Sequence, residues 1–295
     1  MGGEYFRNMK TAFIFPGQGA QFVGMGKDLY EAYPKAKAYY DNANDILGYD
    51  LRKICFDGPA DILIQTKYSQ PAILVTSLAY LAGKIDHGTV PPSACAGLSL
   101  GEYTALIFTG AIEFADGLKL VAKRAEFMQE DSIAVKGGMS SVIGMEENTV
   151  REIVKENGDI VDVANLNCPG QVVISGLMEE ILKIAPILQG KGARKVIPLD
   201  VSGPFHSRYM KNAQSKLEPL IKQTEVRKPM INFYANVTGE KVDNTDLIRE
   251  YMIRQVASSV YWEKTIRNMQ KDGIENFEEV GPGNVLAGLL KRILK

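Results

Sequence analysis

The sequence GLSLGEY, from Gly97 to Tyr103, decides the fold prediction because it has the G-x-S-x-G form of a nucleophile elbow. The small apolar residues 93–96 suit a buried strand, and residues 100–109 suit a helix. A serine at such a strand-to-helix turn has a strained backbone, which lifts its hydroxyl clear of the sheet. The motif alone is equally typical of a tight turn, so other parts of the chain must support Ser99 as a nucleophile.

The residues beside Ser99 suit the same interpretation. Gly97 and Gly101 remove side chains that would collide where strand and helix nearly touch. The N–H of Leu100 then lies at a helix N-terminus, where it can stabilise an oxyanion. Glu102 is expected to stabilise that helix end rather than to act as an acid. The implied chemistry is acyl transfer through an ester on Ser99.

Composition excludes several classes of protein. The 295 residues are 45% hydrophobic and 23% charged, which is ordinary for one or two globular domains. The net charge of -1 does not favour binding to nucleic acid or to a membrane surface. The three cysteines lack C-x-x-C spacing and suit a reducing compartment, and the two histidines make a His-rich metal site unexpected. No signal peptide or bilayer-length apolar run is visible, so we expect a cytoplasmic protein, with Met9 as its natural start.

Alternating strand and helix patterns predict an α/β fold. Residues 138–198 follow the order βαββαβ, which is typical of a ferredoxin-like unit. We therefore expect a large α/β-hydrolase-like (patatin-like) domain over 10–130 and 199–295, interrupted by a ferredoxin-like subdomain over 131–198. A cleft between the two would be the natural site.

Within the large domain, residues 11–15 are expected to form a strand, and residues 35–46, 69–84 and 115–130 to form helices. Ser69 is the expected N-cap of the second helix, with Pro71 in its first turn.

A nucleophilic serine needs a base, and the chain offers two histidines. His87 lies in a polar loop and is expected to be an ordinary surface residue. His206 follows an irregular stretch just before a predicted helix, from where it can project into a cleft. We therefore expect His206 to be the base.

Six motifs in order make the chain resemble the malonyl-CoA:acyl carrier protein transacylases, the acyltransferases of fatty-acid synthesis. The resemblance covers nearly all of the chain from Lys10 onward. The motifs are FPGQGAQ (15–21), GLSLGEY (97–103), NCPGQVVISG (167–176), GPFHS (203–207), QVASSV (255–260) and GPG (281–283).

This resemblance implies a set of catalytic roles. Ser99 would be the nucleophile and His206 its base. Gln18 and the Leu100 N–H would line the oxyanion hole, and Arg124 would bind the malonyl carboxylate.

Three further residues receive roles from the resemblance, and one departs from it. The backbone carbonyl of Gln255 would orient the imidazole, Asn167 would face the cleft, and Phe205 would narrow the pocket in favour of malonyl over methylmalonyl groups. Leu98 replaces the histidine that often precedes the nucleophile, which leaves any tuning of the pocket by that histidine in doubt.

The resemblance also implies the partners. Malonyl-CoA would donate the acyl group, and acyl carrier protein would accept it on its phosphopantetheine thiol. A monomer is expected, with no cofactor, metal, nucleic acid or membrane involved. Basic side chains at the cleft rim would meet the acidic carrier, and the candidates are Lys191, Arg194, Lys195, Lys264 and Arg267.

Two other functions remain open from the sequence. A serine hydrolase or thioesterase of the α/β-hydrolase class would share the elbow, but it usually places its histidine near the C-terminus and gives Arg124 no role. A non-catalytic carrier-protein docking subunit would not need Ser99, His206, Gln18 and Arg124 together.

Overall fold

The structure, a computed structural model, describes residues 10–295, so the expected start at Met9 lies outside it. The strands are β1 (Thr11–Phe15), β2 (Ala94–Gly97), β3 (Gly137–Ile143), β4 (Asp162–Cys168), β5 (Gln171–Leu177), β6 (Lys195–Pro198), β7 (Asn232–Phe233) and β8 (Asn276–Glu279). They form one parallel sheet in the order β7-β2-β1-β8 and one antiparallel sheet in the order β4-β5-β3-β6.

Helices surround both sheets. They are α1 (Lys27–Ala32), α2 (Pro34–Leu47), α3 (Leu51–Asp57), α4 (Ala60–Leu63), α5 (Thr66–Asp86), α6 (Gly101–Phe108), α7 (Phe114–Ala134), α8 (Glu147–Glu156), α9 (Met178–Gly190), α10 (Lys211–Gln223), α11 (Thr245–Gln255), α12 (Trp262–Lys271) and α13 (Val285–Ile293). None of the helices within residues 10–295 is long and apolar enough to cross a bilayer.

The parallel sheet is covered on both faces, which explains the continuous apolar runs of its central strands. Because successive side chains in a strand point to opposite faces, β1 divides its residues between two cores. Phe13 and Phe15 pack into the core that includes α5 and α7. Ala12 and Ile14 pack into the core on the other face, with Trp262.

The antiparallel sheet has its own smaller core. Val142 and Ile174 from the sheet pack against Ile153 of α8 and Ile184 of α9, and all four are buried. The pairing of β4 with β5 is interrupted by two register shifts, so the backbone of β4 is irregular beside Val260, with which Asn165 forms an isolated bridge.

Most predicted elements lie within a few residues of their expected bounds, but the start of α5 differs. Ser69 does not cap this helix, because the carbonyl of Gln65 already accepts the N–H groups of Tyr68 and Ser69 at 2.9 and 2.8 Å. The helix therefore begins at Thr66, and Pro71 lies inside it rather than in its first turn.

Candidate active site

The turn between β2 and α6 has the geometry that its glycines predict. Ser99 has a φ of 51°, in the left-handed region that non-glycine residues rarely adopt. A Cβ on Gly97 would lie 1.9 Å from the carbonyl carbon of Gly101, and a Cβ on Gly101 would lie 2.2 Å from the carbonyl oxygen of Phe15. Only glycine permits this close approach, which exposes Ser99 at the end of the strand.

His206 lies directly against the serine. Its Nε2 is 2.7 Å from Ser99 Oγ, and its Nδ1 is 2.9 Å from the backbone carbonyl oxygen of Gln255. A carbonyl oxygen can only accept, so Nδ1 carries the proton and Nε2 is left to accept the serine hydroxyl. The carbonyl thus fixes the tautomer, a task that a carboxylate performs in a Ser-His-Asp triad.

The surroundings keep His206 neutral. Burial and the nearby positive charge of Arg124 lower its pKa to about 4, although the backbone carbonyls of Gln255 and Ser258 act in the opposite direction. The imidazole is therefore unprotonated at neutral pH and able to accept a proton.

Arg124 reaches the same serine from α7, and its side chain is 1% exposed. Its Nη2 donates to Ser99 Oγ at 3.0 Å and to Gln255 Oε1 at 2.9 Å. Its Nη1 donates to Gln70 Oε1 at 2.6 Å. The guanidinium therefore lies beside the nucleophile, where it can pair with a carboxylate carried by an acyl group.

The backbone amides of Gln18 and Leu100 are free to bind an oxyanion. Gln18 uses its side chain elsewhere, since Nε2 donates to Thr66 Oγ1 at 3.3 Å and Oε1 accepts from Gln70 at 3.5 Å. Within residues 10–295 the N–H groups of Gln18 and Leu100 have no hydrogen-bond acceptor. Both residues line the cavity beside Ser99.

That cavity has a volume of about 350 Å³ and lies between the two sheets. The antiparallel sheet supplies one wall, which consists of Met139, Asn165, Asn167, Gln171 and Val173. Phe205 and His206 close the side next to the serine. Leu98 also lines the cavity, so an apolar side chain occupies the position where the resembled family often has histidine.

The eight residues that the resemblance assigns to catalysis and to the acyl-binding pocket are thus near one another. Ser99, Gln18, Leu100, His206, Asn167 and Phe205 line the cavity. Arg124 and Gln255 lie beneath it, in direct contact with Ser99.

Three buried polar residues were missed or misjudged from the sequence. Gln70 and Asn236 belong to no recognised motif; Gln70 is a buried amide on α5, and Asn236 follows a strand of the parallel sheet. Glu102 is 1% exposed, and its Oε2 accepts the N–H of Asn236 at 2.6 Å. Burial raises the pKa of Glu102 to about 7. The carboxyl holds the backbone of Asn236 in addition to its expected place at the N-terminus of α6.

Comparison with known proteins agrees with this geometry. The sequence profile of the acyl transferase domain matches residues 12–295. The malonyl CoA-acyl carrier protein transacylase of Bacillus subtilis is 41% identical over 287 residues, which cover 96% of this chain and 90% of that protein.

Solved structures of the same kind superpose closely. An acyl carrier protein S-malonyltransferase from Vibrio cholerae has a TM-score of 0.93 and 38% identity, covering 97% of this chain and 94% of its own. A malonyl-transacylase solved with a type II PKS acyl-carrier protein has a TM-score of 0.92 and 37% identity, covering 97% and 93%. The chain therefore belongs to the acyl transferase family, and its relatives there include malonyl CoA-acyl carrier protein transacylases.

Proposed function

We propose that this chain transfers a malonyl group from malonyl-CoA to the phosphopantetheine thiol of acyl carrier protein, through a malonyl ester on Ser99, and so supplies fatty-acid elongation. The observation that carries the proposal is the contact of Ser99 Oγ with both His206 and Arg124. One group can remove the serine proton, and the other can hold the malonyl carboxylate.

The first half-reaction acylates the serine. Nε2 of His206 takes the hydroxyl proton while Ser99 Oγ attacks the thioester carbonyl. The N–H groups of Gln18 and Leu100 stabilise the oxyanion, and Arg124 pairs with the malonyl carboxylate. The C–S bond then breaks, and the CoA thiolate takes the proton from His206.

The second half-reaction returns the serine. His206 accepts the proton of the carrier's phosphopantetheine thiol as the sulfur attacks the ester carbonyl. The tetrahedral intermediate collapses to the malonyl thioester, and Ser99 Oγ recovers a proton from His206. Neither half-reaction calls for a metal ion or a cofactor.

The order of strands supports a finer description of the fold. In the antiparallel sheet, the second and third strands of the βαββαβ unit lie side by side, with the first strand next and the fourth at the edge. We infer a ferredoxin-like subdomain over 131–198, inserted into an α/β-hydrolase-like (patatin-like) domain of 10–130 and 199–295. Helix α7 continues to Ala134, so its last turn crosses the first boundary.

A mass measurement tests the function. The intact protein is mixed with malonyl-CoA and weighed, and the expected product carries one malonyl group on Ser99. Addition of acyl carrier protein bearing phosphopantetheine should remove that group and place it on the carrier thiol. CoA release at equal rates with and without the carrier, with no malonyl carrier formed, would indicate a hydrolase instead. Absence of any covalent adduct would favour a non-catalytic docking subunit.

A further inference from the structure

The side chain of Asn236 is bonded to both sides of the turn that carries the nucleophile. Its Oδ1 accepts the N–H of Ser99 at 2.7 Å, and its Nδ2 donates to the carbonyl oxygen of Gly97 at 2.7 Å. Asn236 is 0% exposed, so water does not compete for either bond. One side-chain amide therefore links the backbone of Gly97 to the backbone of Ser99, on either side of Leu98.

Asn236 is itself held by its backbone. Its N–H donates to Glu102 Oε2 at 2.6 Å, and its carbonyl accepts the N–H of Tyr261 at 2.9 Å. It also follows β7, which pairs in parallel with β2, the strand leading to the serine. The backbone of Asn236 is thus fixed relative to both α6, the helix after Ser99, and β2, the strand before it.

The backbone of Ser99 needs such support. A φ of 51° is sparsely populated for a residue with a Cβ, and it persists only where the surroundings impose it. The carbonyl of Ser99 is held as well, since Gln255 Nε2 donates to it at 2.8 Å. Two amide side chains therefore occupy both backbone polar groups of the nucleophile.

We propose that Asn236 is a positioning residue that holds Ser99 in its left-handed conformation and so directs Oγ toward His206. It is absent from the residues that line the cavity, so it acts through Ser99 and not on the acyl group. The inference rests on the proposed role of Ser99 as the nucleophile. It also implies that Ser99 N–H takes no part in binding the oxyanion, because that donor is already engaged.

Substitution of Asn236 by alanine tests the proposal. Two rates are measured per folded molecule: single-turnover acylation by malonyl-CoA, and labelling of Ser99 by phenylmethylsulfonyl fluoride. We expect both rates to fall about 10- to 100-fold, as small misplacements of reacting groups do, while the KM for malonyl-CoA changes less than about twofold.

The matched control is Asn157→Ala, which removes a comparable amide-to-backbone bond from Asn157 Nδ2 to the carbonyl of Ile153, 2.7 Å long, at the C-terminal end of α8. Both of its rates should match those of the wild type.

A second variant separates positioning from general loss of structure. In Asn236→Asp, only the protonated carboxyl can both accept from Ser99 N–H and donate to the Gly97 carbonyl. The labelling rate of this variant relative to Asn236→Ala should therefore rise as the pH falls from about 8 to 5. The other ionisable groups of this site, Glu102, Arg124 and His206, are common to both variants, so their titration cancels in the ratio. If the alanine variant does not fold, the ratio of the aspartate variant to the wild type serves instead.

Two results would overturn the proposal: wild-type labelling and acylation by folded Asn236→Ala, or a labelling ratio that does not change with pH. Failure of the proposed function has a different signature. In that case the wild type takes no malonyl group, while labelling of Ser99 still reports whether Asn236 positions it.

Discussion

The two sheets border one cavity but contribute to it in different ways. On the side of the parallel sheet, polar groups are bonded to one another: Ser99 contacts His206 and Arg124, and its backbone is held at both ends. On the side of the antiparallel sheet, the wall combines the apolar Met139 and Val173 with three amide side chains, and Oδ1 of Asn167 is buried with no hydrogen-bond partner in residues 10–295. The polar groups of the first wall, the bonded wall, are already hydrogen-bonded to one another around Ser99. The second wall, the open wall, keeps that unused hydrogen-bond acceptor, which a bound substrate could reach.

This difference predicts which substitutions should have the largest effects on acyl transfer. Changes in the bonded wall remove or displace reacting groups, and they should abolish or strongly slow acyl transfer. Changes in the open wall remove single contacts with the bound acyl group or its carrier, and they should mainly alter binding. The following predictions test that division.

The largest effect is expected for Ser99→Ala. This variant should form no hydroxylamine-labile adduct with malonyl-CoA in an intact-mass measurement, because the attacking oxygen is gone. Ser215→Ala, which changes an exposed serine in α10, should acylate normally. An adduct that persists in Ser99→Ala, or that maps to Cys95 or Cys168, would contradict the assignment.

His206→Ala should slow acylation by about 10²–10⁴-fold, the usual value of general-base assistance. The measurement is the single-turnover rate with malonyl-CoA. His87→Ala is the control, since His87 is exposed, its Nε2 is hydrogen-bonded to the hydroxyl of Tyr33 at 2.6 Å, and it is not among the residues that line the cavity beside Ser99. Equal and small losses in the two variants would exclude His206 as the base.

Arg124→Ala should lower kcat/KM for malonyl-CoA by on the order of 10²-fold or more, because removing one partner of a buried ion pair leaves the other charge unpaired. Acetyl-CoA carries no carboxylate, so its kcat/KM should stay equal or improve. Lys123→Ala, at the exposed neighbouring position on α7, should leave the malonyl-to-acetyl ratio unchanged. An unchanged ratio in Arg124→Ala would mean that malonyl selectivity arises elsewhere.

Asn167→Ala belongs to the open wall and should have a smaller effect. Losing one neutral hydrogen bond to the substrate corresponds to a factor of about 2–10 in binding. We expect the KM for malonyl-CoA to rise by that factor while kcat changes less than about twofold. A fall in kcat as large as that of a bonded-wall variant would show that the two walls are not separate in function.

The smallest effect concerns pH. Because the pKa of His206 is lowered to about 4, the base stays unprotonated in mildly acidic solution, and kcat/KM should change less than about twofold between about pH 5.5 and 7.5. Glu102→Gln removes a buried group that titrates in this range, since burial raises the pKa of Glu102 to about 7. A fall in activity near pH 6.5 that persists in Glu102→Gln would place the pKa of His206 at its ordinary value.

The sequence predicted the parts of this molecule that depend on local chemistry. The elbow needs glycine on both sides of Ser99, and the buried strand of residues 11–15 needs an apolar run, so both could be located from residue types. The residues of the motifs also proved to be neighbours in space. Short helices such as α1, α3 and α4 escaped prediction because four to seven residues give too little periodicity.

Contacts between distant segments could not be predicted in this way. Asn236 lies 137 positions from Ser99, and Gln70 lies 54 positions from Arg124, so only the completed fold brings each pair together. Burial of Glu102 was equally invisible, because a carboxylate near a helix N-terminus ordinarily faces solvent. The sequence thus predicted which residues would meet at the candidate site, while the network that holds them depends on tertiary structure.

In the proposed mechanism, the contact of Arg124 with Ser99 would couple recognition of the substrate to activation of the serine. Before a substrate enters, the guanidinium donates to the serine oxygen and its charge weakens the neighbouring imidazole as a base. A bound malonyl carboxylate would neutralise that charge and compete for the same N–H donors, so the nucleophile would gain reactivity only as its proper acyl group arrives. Water and uncharged acyl groups would meet the less reactive serine, and selectivity would then come from the rate of attack as well as from the strength of binding.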